Sequence, residues 1–369
     1  CLSLNQNKLA QMKSINKNIV FILFMILKYR LICLVIFIVI SNNLWAQIDS
    51  AYYRGYNILD SMLTEKKAMD LKEAIFTVEN AYFDEGLSFE HFDSRLNEFV
   101  AFVKTLSSDK LISYNHADFH SVNVHAAIFQ MMTDTIPVLA PDNTLLYHLP
   151  FQYNFDDYAS KKEWSNMFVS TLMDTRTGNC HSLPLFYKLL TEELGEKSWL
   201  ALAPNHSYIK LHNQADGWYN VELTSGQFPT DIWIKASGYI HTDAIRQGIY
   251  MDTLSRKNTV ALCMTDLAEG YKHKHISDYD PEFVLMCCNR TLVAFPDYVN
   301  ALLLKAETLL DIFKKTGRKE YYQEVEKLYS YIHKIGYRKM PEKMYLEWLQ
   351  SLSRNRKNSN KKGLNRNGN

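Results

Sequence analysis

Cys180, His206 and Glu222 are the residues of this chain best suited to chemistry. A thiolate attacks a carbonyl carbon, an imidazole carries the proton, and a carboxylate holds the imidazole in one tautomer. Those roles need three side chains in hydrogen-bond reach, so the elements around them must bring them together. Cys180 lies in Thr177-Gly178-Asn179-Cys180-His181-Ser182-Leu183-Pro184. After it, Leu185, Leu189, Leu190 and Leu194 recur at helical spacing, and Gly195 stands where a helix end takes a positive φ. Pro184 fits the first turn, where a missing N–H matters least. The spacing predicts a helix that starts at the cysteine. Its free N–H groups and positive dipole end favour the thiolate.

The thiol's partners come from expected strands. Residues 198–203 read as one strand, 206–211 as a second and 218–223 as a third, with a turn over 213–217. Ile209, Leu211, Tyr219, Val221 and Leu223 alternate onto an apolar face, while His206, Tyr208, Lys210, Asn220 and Glu222 share a polar one. A hairpin closing near Ala215 pairs residues whose numbers sum to about 430. Tyr208 then sits opposite Glu222, with His206 as its diagonal neighbour, roughly 7 Å away at the backbone. A histidine and a carboxylate meet on that face, close in sequence to the cysteine helix.

Gly178-Asn179-Cys180, a helix, Asn205-His206 leading a strand, and Trp218-x-x-Val221-Glu222-Leu223-Thr224 together resemble the transglutaminase-like superfamily, which has the papain-like fold. The resemblance is strongest over residues 150–235 and extends more weakly to residues 71–99. The family's third residue is usually aspartate. Glu222 stands there, as in a bacterial branch that couples this core to tetratricopeptide repeats. The resemblance implies covalent acyl transfer through Cys180, His206 and Glu222, on a protein or peptide substrate, with no cofactor and no metal. The oxyanion needs two donors. The Cys180 backbone N–H is one. For a side-chain donor the resemblance suggests a Gln or a Trp, which nominates Gln152 and Trp164.

Plainer roles stay open for each residue. A lone cysteine at a helix start is often a small buried hydrophobe. His206 can cap a strand, Glu222 can pair with Lys210, and Asn205 or Asn220 can replace Glu222 as orienter. His181 reads as local packing or a rim contact. His116, His120 and His125 are spaced by four and five, which does not gather them on one face with a carboxylate, so a metal site is not expected.

Charge and hydropathy frame the site. The net charge is +1, but residues 1–46 carry +5 and residues 354–369 carry +6, so the body between them carries −10. An acidic body argues against nucleic acid as a partner. The basic tail, rich in Asn, Ser and Gly, is expected to be disordered. Residues 31–40 form an apolar run preceded by Lys28 and Arg30 and followed by Leu44-Trp45-Ala46-Gln47. That is the pattern of a signal peptide cut after Ala46, with translation from Met25; an uncleaved membrane anchor is the alternative. Cys180, Cys263, Cys287 and Cys288 lie beyond it. Export permits a disulfide between Cys263 and one of the vicinal pair, whereas bonding Cys180 silences the nucleophile.

The expected organisation is upstream sequence and signal peptide over residues 1–46, and a transglutaminase-like core with a helical N-terminal part over 47–252. A tetratricopeptide-like helical domain over 253–353 and the basic tail over 354–369 follow. Phe295-Pro296-Asp297 before Ala301, Ala306 and Leu309 carries the repeat-like pattern, in about two repeats. A single helix is expected over 164–173, a cleft-walling loop over 225–233, a short helix over 242–251 and helical hairpins from about residue 255. The fold class is α+β: a cysteine helix on an antiparallel sheet, then helical repeats that can hold a protein partner. The function expected is that of an exported cysteine-dependent peptidase, amidase or transglutaminase-like enzyme. A catalytically silent protein-binding module on the same scaffold is the alternative.

Overall fold

The computed structural model describes residue 28, residues 51–341 and 343–351, and residue 354. The expected leader and cleavage site, and the tail beyond residue 354, lie outside the described residues. No helix among the described residues is long and apolar enough to cross a membrane.

The chain is α+β. From residue 54 it is helical to residue 63, then folds into helices Leu71–Tyr82, Phe89–Ser107 and Phe119–Thr133. Asp70 and Ser88 cap the first two of these by accepting from Glu73 N and His91 N. A hairpin of β1 (Ile136–Leu139) and β2 (Leu145–His148) follows. The short β3 (Gln152–Tyr153) then pairs in parallel with β4 (Thr177–Gly178), just ahead of the cysteine. The cysteine helix, Ser182–Glu193, buries nearly its whole surface. Its Phe186 packs on Phe99 and Phe151, with ring centroids 5.3 and 5.2 Å apart. Gly195 ends the helical run at φ +74°, as its position predicts.

The sheet is antiparallel, in the order β5 (Trp199–Ala203), β6 (His206–Asn213), β7 (Gly217–Val221). Pro204 and Asn205 make the two-residue turn between Ala203 and His206, and Asn205 takes the left-handed conformation, φ +54°. Ile209 pairs with Val221 and Lys210 with Asn220, the register expected from the turn. Glu222 lies one residue beyond the end of β7, where its backbone bridges Gln227. The last helices run Asp231–Ser237, Thr242–Arg246, Arg256–Lys274, Pro281–Ala294, Val299–Thr316 and Lys319–Lys334, with a further helical stretch over residues 343–351. Arg256–Lys274 packs on both Pro281–Ala294 and Leu71–Tyr82, and Val299–Thr316 packs on Lys319–Lys334.

One expectation changes, and two readings left open are decided. The helix expected over 164–173 is a 3-10 turn, Trp164–Met167, and a separate helix, Val169–Thr175. The break falls at Phe168, whose ψ of 142° is extended. The Glu79 carboxylate, from a helix far back in the chain, accepts from Val169 N at 2.6 Å and Ser170 N at 2.9 Å. That tertiary cap starts a new helix where the local pattern continues the old one. The polar sheet face is also not solvated: His206, Tyr208, Lys210, Asn220 and Glu222 are all buried. Finally, all four cysteines among the described residues are free thiols.

Candidate active site

The cysteine is held by its own loop. Asn179 Oδ1 accepts from His181 N at 2.8 Å and Ser182 N at 3.2 Å, and its amide donates to Ser160 Oγ at 2.9 Å. Ser182 Oγ accepts from Asn179 N at 3.0 Å and donates to the Asn166 carbonyl at 2.9 Å. Ser207, on β6, donates to the Cys180 carbonyl at 2.5 Å. That last bond ties the cysteine loop to the strand that carries His206. Cys180 is partly accessible, and its Sγ lies 3.7 Å from the Asn205 carbonyl.

His206 and Glu222 are a buried pair, 7 % and 3 % exposed, with Nε2 to Oε2 at 2.5 Å. Glu222 Oε1 accepts from Thr224 N at 2.8 Å, so both carboxylate oxygens are used. Asn205 is exposed at the turn, and the Asn220 amide donates to the Pro229 carbonyl and to Asp231. Neither therefore competes with Glu222 for the imidazole. Because Nε2 belongs to Glu222, the imidazole's coupling to the Cys180 thiol runs through its other nitrogen, Nδ1.

Electrostatics follows from that order. Burial opposes the imidazolium, but Glu222 and the thiol outweigh it and push His206 up to about 10. Burial also raises the thiol, yet the hydrogen bond and charge of His206 bring Cys180 below its ordinary value. Glu222 is likewise lowered: its burial is overcome by His206. Each shift favours the charged form of its group, thiolate, imidazolium and carboxylate in that order. The other three cysteines are shifted the opposite way. Burial pushes Cys263 and Cys287 far up and Cys288 to about 12.

A second group of acids lies behind the cysteine helix. His181 Nε2 is 3.1 Å from Asp266 Oδ2, and burial is outweighed by Asp266, so His181 is raised. Burial pushes Glu79 up to about 7, and burial with repulsion from Asp266 pushes Glu269 up to about 8. His181 is thus an ion-pair link between the cysteine loop and the long helix Arg256–Lys274, more than local packing.

Cys180 and His206 open on a cleft of about 610 Å³ that is also lined by His181, Glu269, Tyr298 and Glu307. Trp164 is on its wall, its ring stacked on His273 with centroids 4.8 Å apart. Gln152 is exposed on β3, its amide 3.5 Å from the Pro150 carbonyl, and is not among the lining residues. The loop over 225–233 folds along the sheet instead of lining the cleft.

Sequence reasoning missed the cover of the site. Lys339, Met340 and Tyr345 line the cleft, and Tyr345 OH lies 3.4 Å from the Asn205 carbonyl. The Trp348 ring meets the His206 ring edge-on, with centroids 4.8 Å apart. Tyr345 and Trp348 are only three residues apart in an aromatic-containing terminal helix, a signal indistinguishable from a packing stripe. No family model matches the chain, and no curated protein or solved structure matches it either.

Proposed function

We propose that this protein is an exported, cysteine-dependent acyl-transfer enzyme of the transglutaminase-like type, acting by hydrolysis on a protein or peptide. The observation that carries the reading is the order thiol, imidazole, carboxylate, with Nε2 of His206 given to Glu222 at 2.5 Å and the thiol lowered by the same imidazole. Cys180 attacks the carbonyl carbon, His206 takes and returns the thiol proton, and Glu222 fixes the tautomer and steadies the imidazolium. A helix that begins beside the cysteine and packs on an antiparallel sheet carrying the histidine supports a papain-like core. Antiparallel helix pairs after residue 255 support the tetratricopeptide-like reading of the C-terminal part and a protein partner there. Water, the abundant acceptor outside the cytoplasm, favours hydrolysis over amine transfer.

Timed labelling of the folded protein with iodoacetamide, followed by peptide mass mapping, tests the nucleophile. Cys180 is expected to label first, well ahead of Cys263, Cys287 and Cys288. Labelling of Cys180 at the pace of an ordinary thiol sinks the enzyme reading and leaves a silent binding module.

A further inference from the structure

Around the proposed triad, Tyr208 OH and Trp348 Nε1 are buried with no hydrogen-bond partner among the described residues, and Tyr153 OH and His206 Nδ1 are buried with only the Cys180 thiol to interact with. Folded proteins leave few such atoms, and a group of them at one site asks for a partner that comes with a ligand. His206 Nδ1 has the thiol on that side. Tyr208 and Trp348 belong to the rings packed around the imidazole, with centroids 6.5 and 4.8 Å from it. Tyr153 is differently placed. It stands on β3 directly across from Gly178, and the next residue, Asn154, donates its N–H to the Gly178 carbonyl at 2.7 Å. The backbone thus fixes this tyrosine beside Gly178, two residues ahead of Cys180. The side chain is 5 % exposed, and the Phe155 ring packs on it with centroids 4.6 Å apart.

We infer that Tyr153 is a catalytic residue for the acyl transfer proposed above, its phenol O–H donating to the oxyanion that forms when Cys180 attacks a substrate carbonyl. The inference rests on that acyl-transfer reading. Burial, and then the neighbouring Cys180 and Tyr345, push the phenol well above the ordinary tyrosine value, so its proton is present throughout the working range. In the step, the Cys180 sulfur pair forms the S–C bond and the carbonyl π pair moves onto oxygen. The thiol proton already rests on His206. The oxygen pair then reforms the carbonyl, the bond to the leaving group breaks, and the imidazolium protonates a leaving group that needs it. The phenol proton and the Cys180 N–H stabilise the charge on oxygen during that interval and are not transferred. This gives the role to the buried neighbour of Gln152 in place of Gln152, whose side chain is exposed; neither is among the cleft-lining residues, so the phenol acts from the thiol side, while Trp164 remains a cleft wall.

The test compares two reactions of the same thiol. p-Nitrophenyl acetate acylates Cys180 through an oxyanion; iodoacetamide alkylates it by displacement at a saturated carbon, with no oxyanion. In the full chain, Tyr153→Phe is expected to lower the acylation rate by about 10²–10³-fold while leaving the alkylation rate within about twofold and the melting temperature unchanged. The unchanged stability follows because the hydroxyl removed is buried with no partner but the Cys180 thiol, a weak acceptor. Taking the ratio of the two rates cancels any loss of folded protein. Equal falls in both rates overturn the inference, since the phenol then serves the thiolate, and so does unchanged acylation. Wild-type acylation no faster than that of Cys180→Ala removes the acyl-transfer reading itself, and the inference with it.

Discussion

Glu222 spends one oxygen on His206 and the other on the Thr224 N–H, so a change of charge or reach there acts directly on the imidazole. Glu222→Gln keeps the shape and removes the charge. Turnover is expected to fall by about 10²–10⁴-fold, because the imidazolium loses its charged partner. Glu222→Asp keeps the charge, loses reach, and is expected to retain more activity than Glu222→Gln. Steady-state rates on a common acyl substrate decide this, and a fully active Glu222→Gln refutes the orienting role. The pair also shapes stability. His206 is raised from 6.5 to about 10, so its contribution is complete below about pH 6.5 and is lost as pH rises through about 10. Glu222 is lowered from 4.5, so its contribution is present above pH 4.5 and is lost as pH falls through its lowered value. Melting temperature should therefore fall from pH 6.5 towards pH 10 in the wild type, and Glu222→Gln should make that fall shallower above pH 8, where the three buried thiols, raised by burial, keep a part of it. The part below pH 8 also carries Glu79 and Glu269, whose raised values of about 7 and 8 act in the same direction.

At the scale of the element, the cysteine loop depends on the absence of a side chain at Gly178. A Cβ there would run into the Ser182 hydroxyl and the Leu172 side chain. Ser182 Oγ is the atom that joins Asn179 N to the Asn166 carbonyl, so any shift is passed to the residue beside the nucleophile. Gly178→Ala is expected to cost about 1–3 kcal/mol by overpacking and to slow alkylation of Cys180. Denaturant unfolding and iodoacetamide kinetics measure the two effects. A variant with wild-type stability and wild-type labelling shows that the loop accommodates the methyl and that Gly178 does not position the thiol.

Across the whole molecule, the last helix closes what the central sheet begins. Trp348 and Tyr345 come from residues more than a hundred positions beyond His206, yet one covers its ring and the other approaches the Asn205 carbonyl. Trp348→Ala removes the cover without touching the thiol, the imidazole nitrogens or Glu222. Alkylation of Cys180 is expected to speed up several-fold, with Cys263, Cys287 and Cys288 as slow as before. Unchanged labelling would show that the thiol is reached by a route the tryptophan does not guard. The expected passage out of the cytoplasm has its own test. Mass spectrometry of material from the native host should find Gln47 at the N-terminus; a chain that still carries residues 25–46 in a membrane fraction supports the anchor.

The sequence by itself determined the local parts. Leucine spacing after Cys180 and Gly195 delimit the cysteine helix, because helix periodicity and a positive-φ stop are local properties. Alternation and turn residues set the β6–β7 register, which brings His206 and Glu222 to one face. Only the tertiary structure decided the rest. The break at Phe168 exists because Glu79, some ninety residues earlier, caps the next helix. The polar strand face is buried because Trp348 and the loop after Glu222 lie against it, and strand alternation carries no information about what covers a face. Tyr153, one aromatic among many in the sequence, is set beside the cysteine loop by a two-residue parallel pairing with Gly178 that no local pattern marks. Contacts between distant segments depend on packing, and packing is not written in the period of any one element.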